Sequence, residues 1–327
     1  MKGGKRMEIK EIKAGELDPK KFVKEKVEEI RKIVGDGKAI VALSGGVDSS
    51  TTTLLGHKAL GDRLKVYFID DGLMREGEAK QVASTFKKLG IKVRIVSAQR
   101  EFFEALKGKI DPEEKREAIT QTFYRVIFAR LIRAIGAKFL FHGTILTDIE
   151  ETIAGIKRQH NILEQLGIDT EKEFGYKLVE PLKQIRKDGV RKVAKALELP
   201  ESIYNRMPFC GPGLSARVIG EVTPEKIAIV RKATTIIEEE LRNTKAFQYL
   251  AILHEDKVTG MREGKREFGL QIEVRCWDSI DARVAKPTKL PFKTLTRLSE
   301  RITTEVPGVV SVTYNITSKP PSTMEAV

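Results

Sequence analysis

The stretch Ala39-Ile-Val-Ala-Leu-Ser-Gly-Gly-Val-Asp-Ser-Ser-Thr51 decides how the chain folds. Ala39 to Leu43 is an uninterrupted apolar run, the pattern of a short strand buried on both faces of a parallel sheet. Ser44, Gly45 and Gly46 follow as a turn without bulky side chains, so backbone N–H groups can approach an anion closely. Asp48 and Ser49 are N-cap candidates for a helix running to about Ala59. Strand, glycine turn and helix N-terminus together form a phosphate cradle, because unpaired amides and the helix dipole both favour negative charge. The pattern is distinct from the P-loop of kinases and GTPases, since no lysine lies between Ser44 and Thr53.

Upstream, Phe22, Val23, Val27, Ile30 and Val34 recur at helical spacing and stop at Gly35-Asp36-Gly37. Downstream, residues 64–69 form a second β-rich run that ends in Asp70-Asp71-Gly72. A helix near 76–89, a strand at 92–96, a long helical stretch from 112 to 135 and a fourth strand at 138–141 follow. This alternation predicts an α/β fold with a doubly wound parallel sheet. Asp70 then lies at the strand end where open sheets bind ligands, although an Asp-Gly turn accounts for the same residues. Beyond the fourth strand, His142-Gly143-Thr144-Ile145 leads to Asp148, Glu150 and Glu151, which suit either a cation or a helix start.

The chain of 327 residues allows two domains, each with its own core. A net charge of +13 fits nucleic acid, a polyanionic substrate or a basic surface, but the lysines and arginines are scattered rather than blocked. Four asparagines against 59 lysines and arginines is a thermophile-like balance. Cys210 and Cys276 make no disulfide framework or zinc spacing, and no apolar run nears 18 residues, so a cytoplasmic protein away from membranes is expected.

Residues 1–20 read as an N-terminal arm of low order, 21–206 as the first domain and 207–327 as the second, with the boundary at Met207-Pro-Phe-Cys-Gly-Pro-Gly213. Past it come a strand at 216–222, a helix at 224–241 and a strand at 247–253. Leu270, Ile272, Val274 and Cys276 alternate with Gln271, Glu273 and Arg275, as in a half-buried antiparallel strand. A helix face at Leu295, Leu298, Ile302 and Val306 and a last alternating run at 310–316 complete a smaller α+β domain of βαββαβ order.

Ser-Gly-Gly-Val-Asp-Ser-Ser resembles the loop of the ATP pyrophosphatase (PP-loop) superfamily, whose members adenylate an acceptor and release pyrophosphate. Further stretches narrow the resemblance to GMP synthase: Asp111-Pro-Glu-Glu-Lys-Arg116, Gly143-Thr-Ile145, Leu178-Val-Glu-Pro-Leu182, Tyr204-Asn-Arg-Met-Pro-Phe209, Gly211-Pro-Gly-Leu214 and Lys319-Pro-Pro-Ser-Thr-Met-Glu325. They are collinear from about residue 22 to the C-terminus. The resemblance implies that Ser44, Gly45, Gly46, Val47, Asp48, Ser49, Ser50, Asp70 and Gly143 bind ATP and that Asp48 and Asp148 hold Mg2+. It implies catalytic roles for Asp48 and Lys157, and contacts from Arg206, Pro212, Gly213, Lys319, Thr323 and Glu325 to xanthosine monophosphate (XMP). It also implies a homodimer that uses ammonia from a separate glutaminase subunit, or free ammonium, since neither cysteine sits in a nucleophile elbow.

Several positions depart from the family pattern. The lid reads Ile156-Lys-Arg-Gln-His-Asn161 with His160 alone of the usual histidine pair, the stretch Thr147-Asp-Ile-Glu-Glu151 is one residue short, and Cys210 replaces a proline. Gly260-Met-Arg-Glu-Gly264 lacks the family's aspartate, and the chain ends Glu325-Ala-Val327 without the usual aromatic residue. These departures lie on the acceptor side, which keeps open a relative that adenylates another acceptor, or moves sulfur through Cys210. A tRNA-modifying enzyme of the superfamily is a further alternative for a basic chain; nucleic-acid binding is not expected because the tail is collinear with GMP synthase.

Overall fold

The computed structural model of the chain describes residues 9–153, 170–207, 209–279 and 282–326. In order they form α1 (Pro19–Val34), β1 (Ala39–Ala42), α2 (Val47–Leu60), β2 (Leu64–Asp70), α3 (Glu78–Lys88), β3 (Val93–Ser97), α4 (Gln99–Leu106) and α5 (Pro112–Gln121). A π-helical segment, Thr122–Phe128, joins α5 to α6 (Ala129–Ile135), so the long predicted helix is continuous but widened in its middle. Then come β4 (Phe139–Phe141), α7 (Leu146–Ile153), α8 (Thr170–Phe174), β5 (Lys177–Val179), α9 (Lys187–Ala196) and α10 (Glu201–Tyr204). The rest comprises α11 (Pro224–Leu241), β6 (Gln248–Arg262), β7 (Lys265–Ser279), β8 (Ala285–Pro287), α12 (Phe292–Glu305) and β9 (Val309–Tyr314). Among the described residues no helix is long and apolar enough to cross a membrane.

Among the described residues three helices begin with a side-chain cap followed by proline: Asp18-Pro19, Asp111-Pro112 and Thr223-Pro224. The cap oxygen takes first-turn amides, and proline has no amide to leave orphaned there.

The chain forms two compact units: residues 1–69, 79–96 and 123–206 make one, and 70–78, 97–122 and 207–327 the other. In the first, a five-stranded sheet has the order β3-β2-β1-β4-β5, with β1 parallel to β2 and β4, and β4 parallel to β5. The central strand is buried because helices cover it; Ile40 and Val41 are each 1% exposed. α1 packs on α2 and α9 through the predicted face Phe22, Val23, Val27, Ile30 and Val34. Residues 9–18, expected to be of low order, are tied to this unit: Ile12 N donates to Gln184 O at 2.9 Å and Lys192 Nζ to Ala14 O at 2.6 Å.

In the second unit β6 pairs antiparallel with β7, β7 antiparallel with β8, and β9 joins β7 in parallel. α11 packs on β6 and on α12, and α12 on β9. The strand expected at 216–222 is reduced to one parallel bridge, Val218 with Leu253, after a 3-10 turn at Gly213–Arg217. β7 is not half-buried as its alternation suggests. Glu273 and Arg275 are only 8% exposed, buried along with Ile272, Val274 and Cys276, because the C-terminal segment folds over them.

Candidate active site

In the first unit the strand order reverses between β1 and β4, so the residues leaving these strands flank the crevice where doubly wound sheets receive ligands. Gly45 turns the chain with φ +80°, a conformation that side chains disfavour. Gly46 is the N-cap of α2, in place of the expected Asp48 or Ser49, and no side chain caps the helix. The first-turn amides are therefore left for an incoming anion. Ser44 and Ser49 brace the turn instead: their hydroxyl oxygens are 2.8 Å apart, Ser44 N donates to Ser49 Oγ at 3.2 Å, and Ser49 Oγ donates to Gly46 O at 3.1 Å. Thr51 and Thr53 turn their hydroxyls back onto the carbonyls of Val47 and Ser49, both at 2.7 Å. Ser50 Oγ is buried without a hydrogen-bond partner among the described residues.

Gly143 explains how β4 closes the cradle. A Cβ there would lie 2.9 Å from Asp48 C and from Ser49 N, so only glycine lets this loop lie against the start of α2. His142 N donates to Val179 O at 3.0 Å, and its Nε2 lies 3.4 Å from the buried Tyr124 hydroxyl, which fixes the residue before Gly143.

Cations gather on this loop. Lys187 Nζ, at the start of α9, donates to Asp48 Oδ2, and Arg206 Nη1 donates to Gly45 O at 3.5 Å. Arg206 thus belongs to the phosphate loop's own unit. Asp48 Oδ1 is buried with no hydrogen-bond partner among the described residues, which suits a hard cation. Asp148 lies in the first turn of α7 and accepts from Ile145 N at 3.0 Å. Glu150 is paired with Arg186 through two hydrogen bonds of 2.8 and 2.6 Å, and this pairing raises the arginine's pKa further. Among the described residues no group of three or more His, Cys, Asp or Glu could hold a metal. Lys157 and His160 lie outside the described residues.

The second unit holds the remaining candidates. Asp70 closes a turn: Oδ1 accepts from Gly72 N at 3.2 Å and Oδ2 from Gln99 Nε2 at 2.9 Å. Pro212 lines a small recess with Pro112, Lys115, Arg116, Ser215 and Ala216, and Gly213 N donates to Cys210 O at 3.0 Å. Cys210 Sγ donates to Gly213 O at 3.2 Å, filling the turn. Phe209 lies within cation–π distance of two guanidinium groups, Arg75 at 4.2 Å and Arg217 at 4.9 Å from the ring centroid.

The C-terminal segment is held from several sides. Lys319 Nζ donates to Ala282 O at 2.8 Å, and Thr323 Oγ1 to Glu325 O at 2.6 Å. Glu325 accepts from Arg217 Nε at 3.2 Å and from Gln248 Nε2 at 3.1 Å. Arg217 is 1% exposed; burial works against its charge, and the Glu325 carboxylate outweighs that and holds its pKa up. Lys187, Arg217, Gln248, Glu273 and Arg275 are functional candidates that sequence reading missed. One signal existed for Lys187: a lysine opening a helix opposes the dipole, so it needs an anion nearby.

Residues 18–212 match the family model for NAD synthase, and residues 235–326 match the model for the GMP synthase C terminal domain. One subunit of a glutamine-hydrolyzing GMP synthase from Pyrococcus horikoshii is 49% identical over 312 residues, covering 94% of this chain and 99% of the relative. The corresponding GMP synthase subunit of Methanopyrus kandleri is 46% identical over 320 residues, with the same coverage of each. That of Archaeoglobus fulgidus is 48% identical over 309 residues, again covering 94% and 99%. The chain belongs to the GMP synthase family. Membership makes it an ATP-dependent ligase with a PP-loop ATP-binding domain. The match spans both units, and these relatives align with this chain almost end to end.

Proposed function

We propose that this chain is the synthetase half of a two-subunit GMP synthase: it aminates XMP to GMP with ATP, releasing AMP and pyrophosphate. The observation that carries the reading is near-full-length similarity to GMP synthase relatives in a chain that keeps the uncapped serine–glycine loop and the ordered Lys319–Glu325 tail. The XMP oxygen at C2 attacks the α-phosphorus of ATP, forming the O–P bond as the bridge to the β-phosphate breaks. Ammonia then adds at C2 and AMP leaves with that oxygen.

The chain's contribution is positioning and charge neutralisation. The first-turn amides at Val47, Asp48 and Ser49, with Ser44 and Ser50, hold pyrophosphate, and Lys187 meets the charge that builds on it as it leaves. Asp48, through Oδ1, and Asp148 would hold Mg2+, which would supply positive charge to offset the negative charge of the phosphates. Asp70, Gly143 and Lys157 complete the ATP side. Arg206, Pro212, Gly213, Lys319, Thr323 and Glu325 receive XMP, joined by Arg116 in the Pro212 recess.

Ammonia comes from a separate glutaminase subunit, in keeping with the relatives' names, each of which describes one subunit of a glutamine-hydrolyzing enzyme. The second unit dimerises, and the cytoplasm is the expected location. A hot host fits the ion-pair network in which Arg301 meets Glu239, Glu240 and Glu305, and Arg297 meets Glu240. XMP carrying heavy oxygen at C2 tests the chemistry: the label is expected in AMP, and unlabelled AMP would refute adenylation of XMP.

A further inference from the structure

The segment from Asn315 to Glu325 has almost no regular secondary structure, yet it is pinned at three places by groups on neighbouring strands. Asn315 Nδ2 donates to Glu273 Oε1 at 2.7 Å at its start. Lys319 exchanges backbone hydrogen bonds of 3.0 and 2.8 Å with Ala285 in its middle. At its end Arg275 Nη1 points at three successive carbonyls, those of Thr323, Met324 and Glu325, at 2.9, 3.4 and 3.2 Å. Arg275 Nε is in turn held by Glu273 Oε1 at 2.7 Å, and Glu273 Oε2 pairs with His254 Nε2 at 2.9 Å.

One buried guanidinium–carboxylate pair therefore ties both ends of the segment together. Burial opposes the Glu273 charge, and the hydrogen bonds from Arg275, Asn315 and His254 outweigh it, leaving its pKa below the usual value. A buried ion pair is a poor source of stability, because desolvating two charges offsets most of their attraction. What it supplies is one conformation: three carbonyls converging on one nitrogen leave the chain little freedom to rearrange. Met324 adds a plug, buried against Trp277 and Ala285 between Thr323 and Glu325.

We propose that Arg275, anchored by Glu273, is a positioning residue for the acceptor, holding the 315–325 segment in the shape in which Thr323 and Glu325 receive XMP. The inference rests on the reading of this segment as the XMP site. Neither residue touches the acceptor; they act by keeping the free protein's tail in its binding shape, so that XMP binding need not order it.

The test uses the full-length chain with ammonium as nitrogen source and the variants Arg275→Met, Arg275→Lys, Glu273→Gln and Glu325→Gln. The KM for XMP is expected to rise roughly tenfold to a hundredfold in Arg275→Met. Its KM for ATP and its kcat at saturating XMP stay near wild type, and hydrogen exchange of the free protein quickens across 316–326. Arg275→Lys recovers part of the loss, since an ammonium reaches the carbonyls without the fork to Glu273. Glu273→Gln, a milder change, shows the same split and serves if Arg275→Met does not fold. Unchanged XMP KM in a folded Arg275 variant, or losses in XMP KM, ATP KM and Tm together, would overturn the positioning role. An XMP KM unmoved in Glu325→Gln would instead remove the reading on which it rests.

Discussion

Lys187 Nζ donates to Asp48 Oδ2, joining the first residue of α9 to the carboxylate in the first turn of α2. A cation at a helix start is disfavoured by the dipole, so this lysine is held there by an anion and stands ready for another. Replacing it with methionine keeps the length of the side chain and removes the charge. Activity in Lys187→Met is expected to fall roughly 100-fold or more in kcat, as when a preorganised charge partner is removed, with folding intact. Steady-state kinetics checks this; a kcat within about threefold of wild type would confine Lys187 to a structural role.

Gly143→Ala sets a methyl group against the backbone of Asp48 and Ser49, at 2.9 Å, where no side chain can move aside. Such overpacking costs about 1–3 kcal/mol and is relieved by pushing β4's loop away from the cradle. Weaker ATP binding is expected alongside a lower Tm. Calorimetry with ATP decides: wild-type affinity in the variant would mean that the close approach has no part in the site.

Arg116 shares the recess with Pro212 and is paired with Glu113 three residues earlier. Arg116→Ala is expected to raise the KM for XMP about tenfold, as the loss of a charged phosphate contact would, while the KM for ATP holds. A rise confined to ATP would place this arginine on the other substrate.

Burial raises the Asp71 carboxyl from its ordinary value to about 7; the Leu73 backbone hydrogen bond opposes the shift and the Asp70 charge adds to it. Between the ordinary carboxylate value and about 7, the folded protein keeps a proton that the unfolded chain has lost. Stability from this group therefore falls as pH rises through that window and levels off above it. Asp71→Asn has no such proton, so its stability relative to wild type is expected to improve by roughly 2–3 kcal/mol from about pH 5 to about pH 8. Urea unfolding of both proteins at the two pH values measures the difference, and a gap that does not change with pH would refute the assignment.

Local rules were enough where one face of an element meets one neighbour. The α1 face from Phe22 to Val34 is buried as its spacing requires, and so are Ala39, Ile40, Val41 and Leu43 of the central apolar run. They failed where tertiary partners decide. Glu273 and Arg275 look like the solvent face of an alternating strand, and nothing local reveals that a segment some forty to fifty residues later covers them. The short strand β5 carries only Lys177, Leu178 and Val179, too few for a pattern, and exists because β4 offers it an edge. At the site, the serines and glycines of the loop were legible because their chemistry is contiguous. Lys187 was not, since it reaches Asp48 from 139 positions away.

Amination of XMP is tested most directly by following pyrophosphate, AMP and GMP in one reaction of the purified chain with ATP, magnesium and ammonium, with and without XMP. Pyrophosphate release is expected to depend on XMP and to yield AMP and GMP in equal amounts. Pyrophosphate release indifferent to XMP, or XMP consumed without GMP, would contradict the assignment.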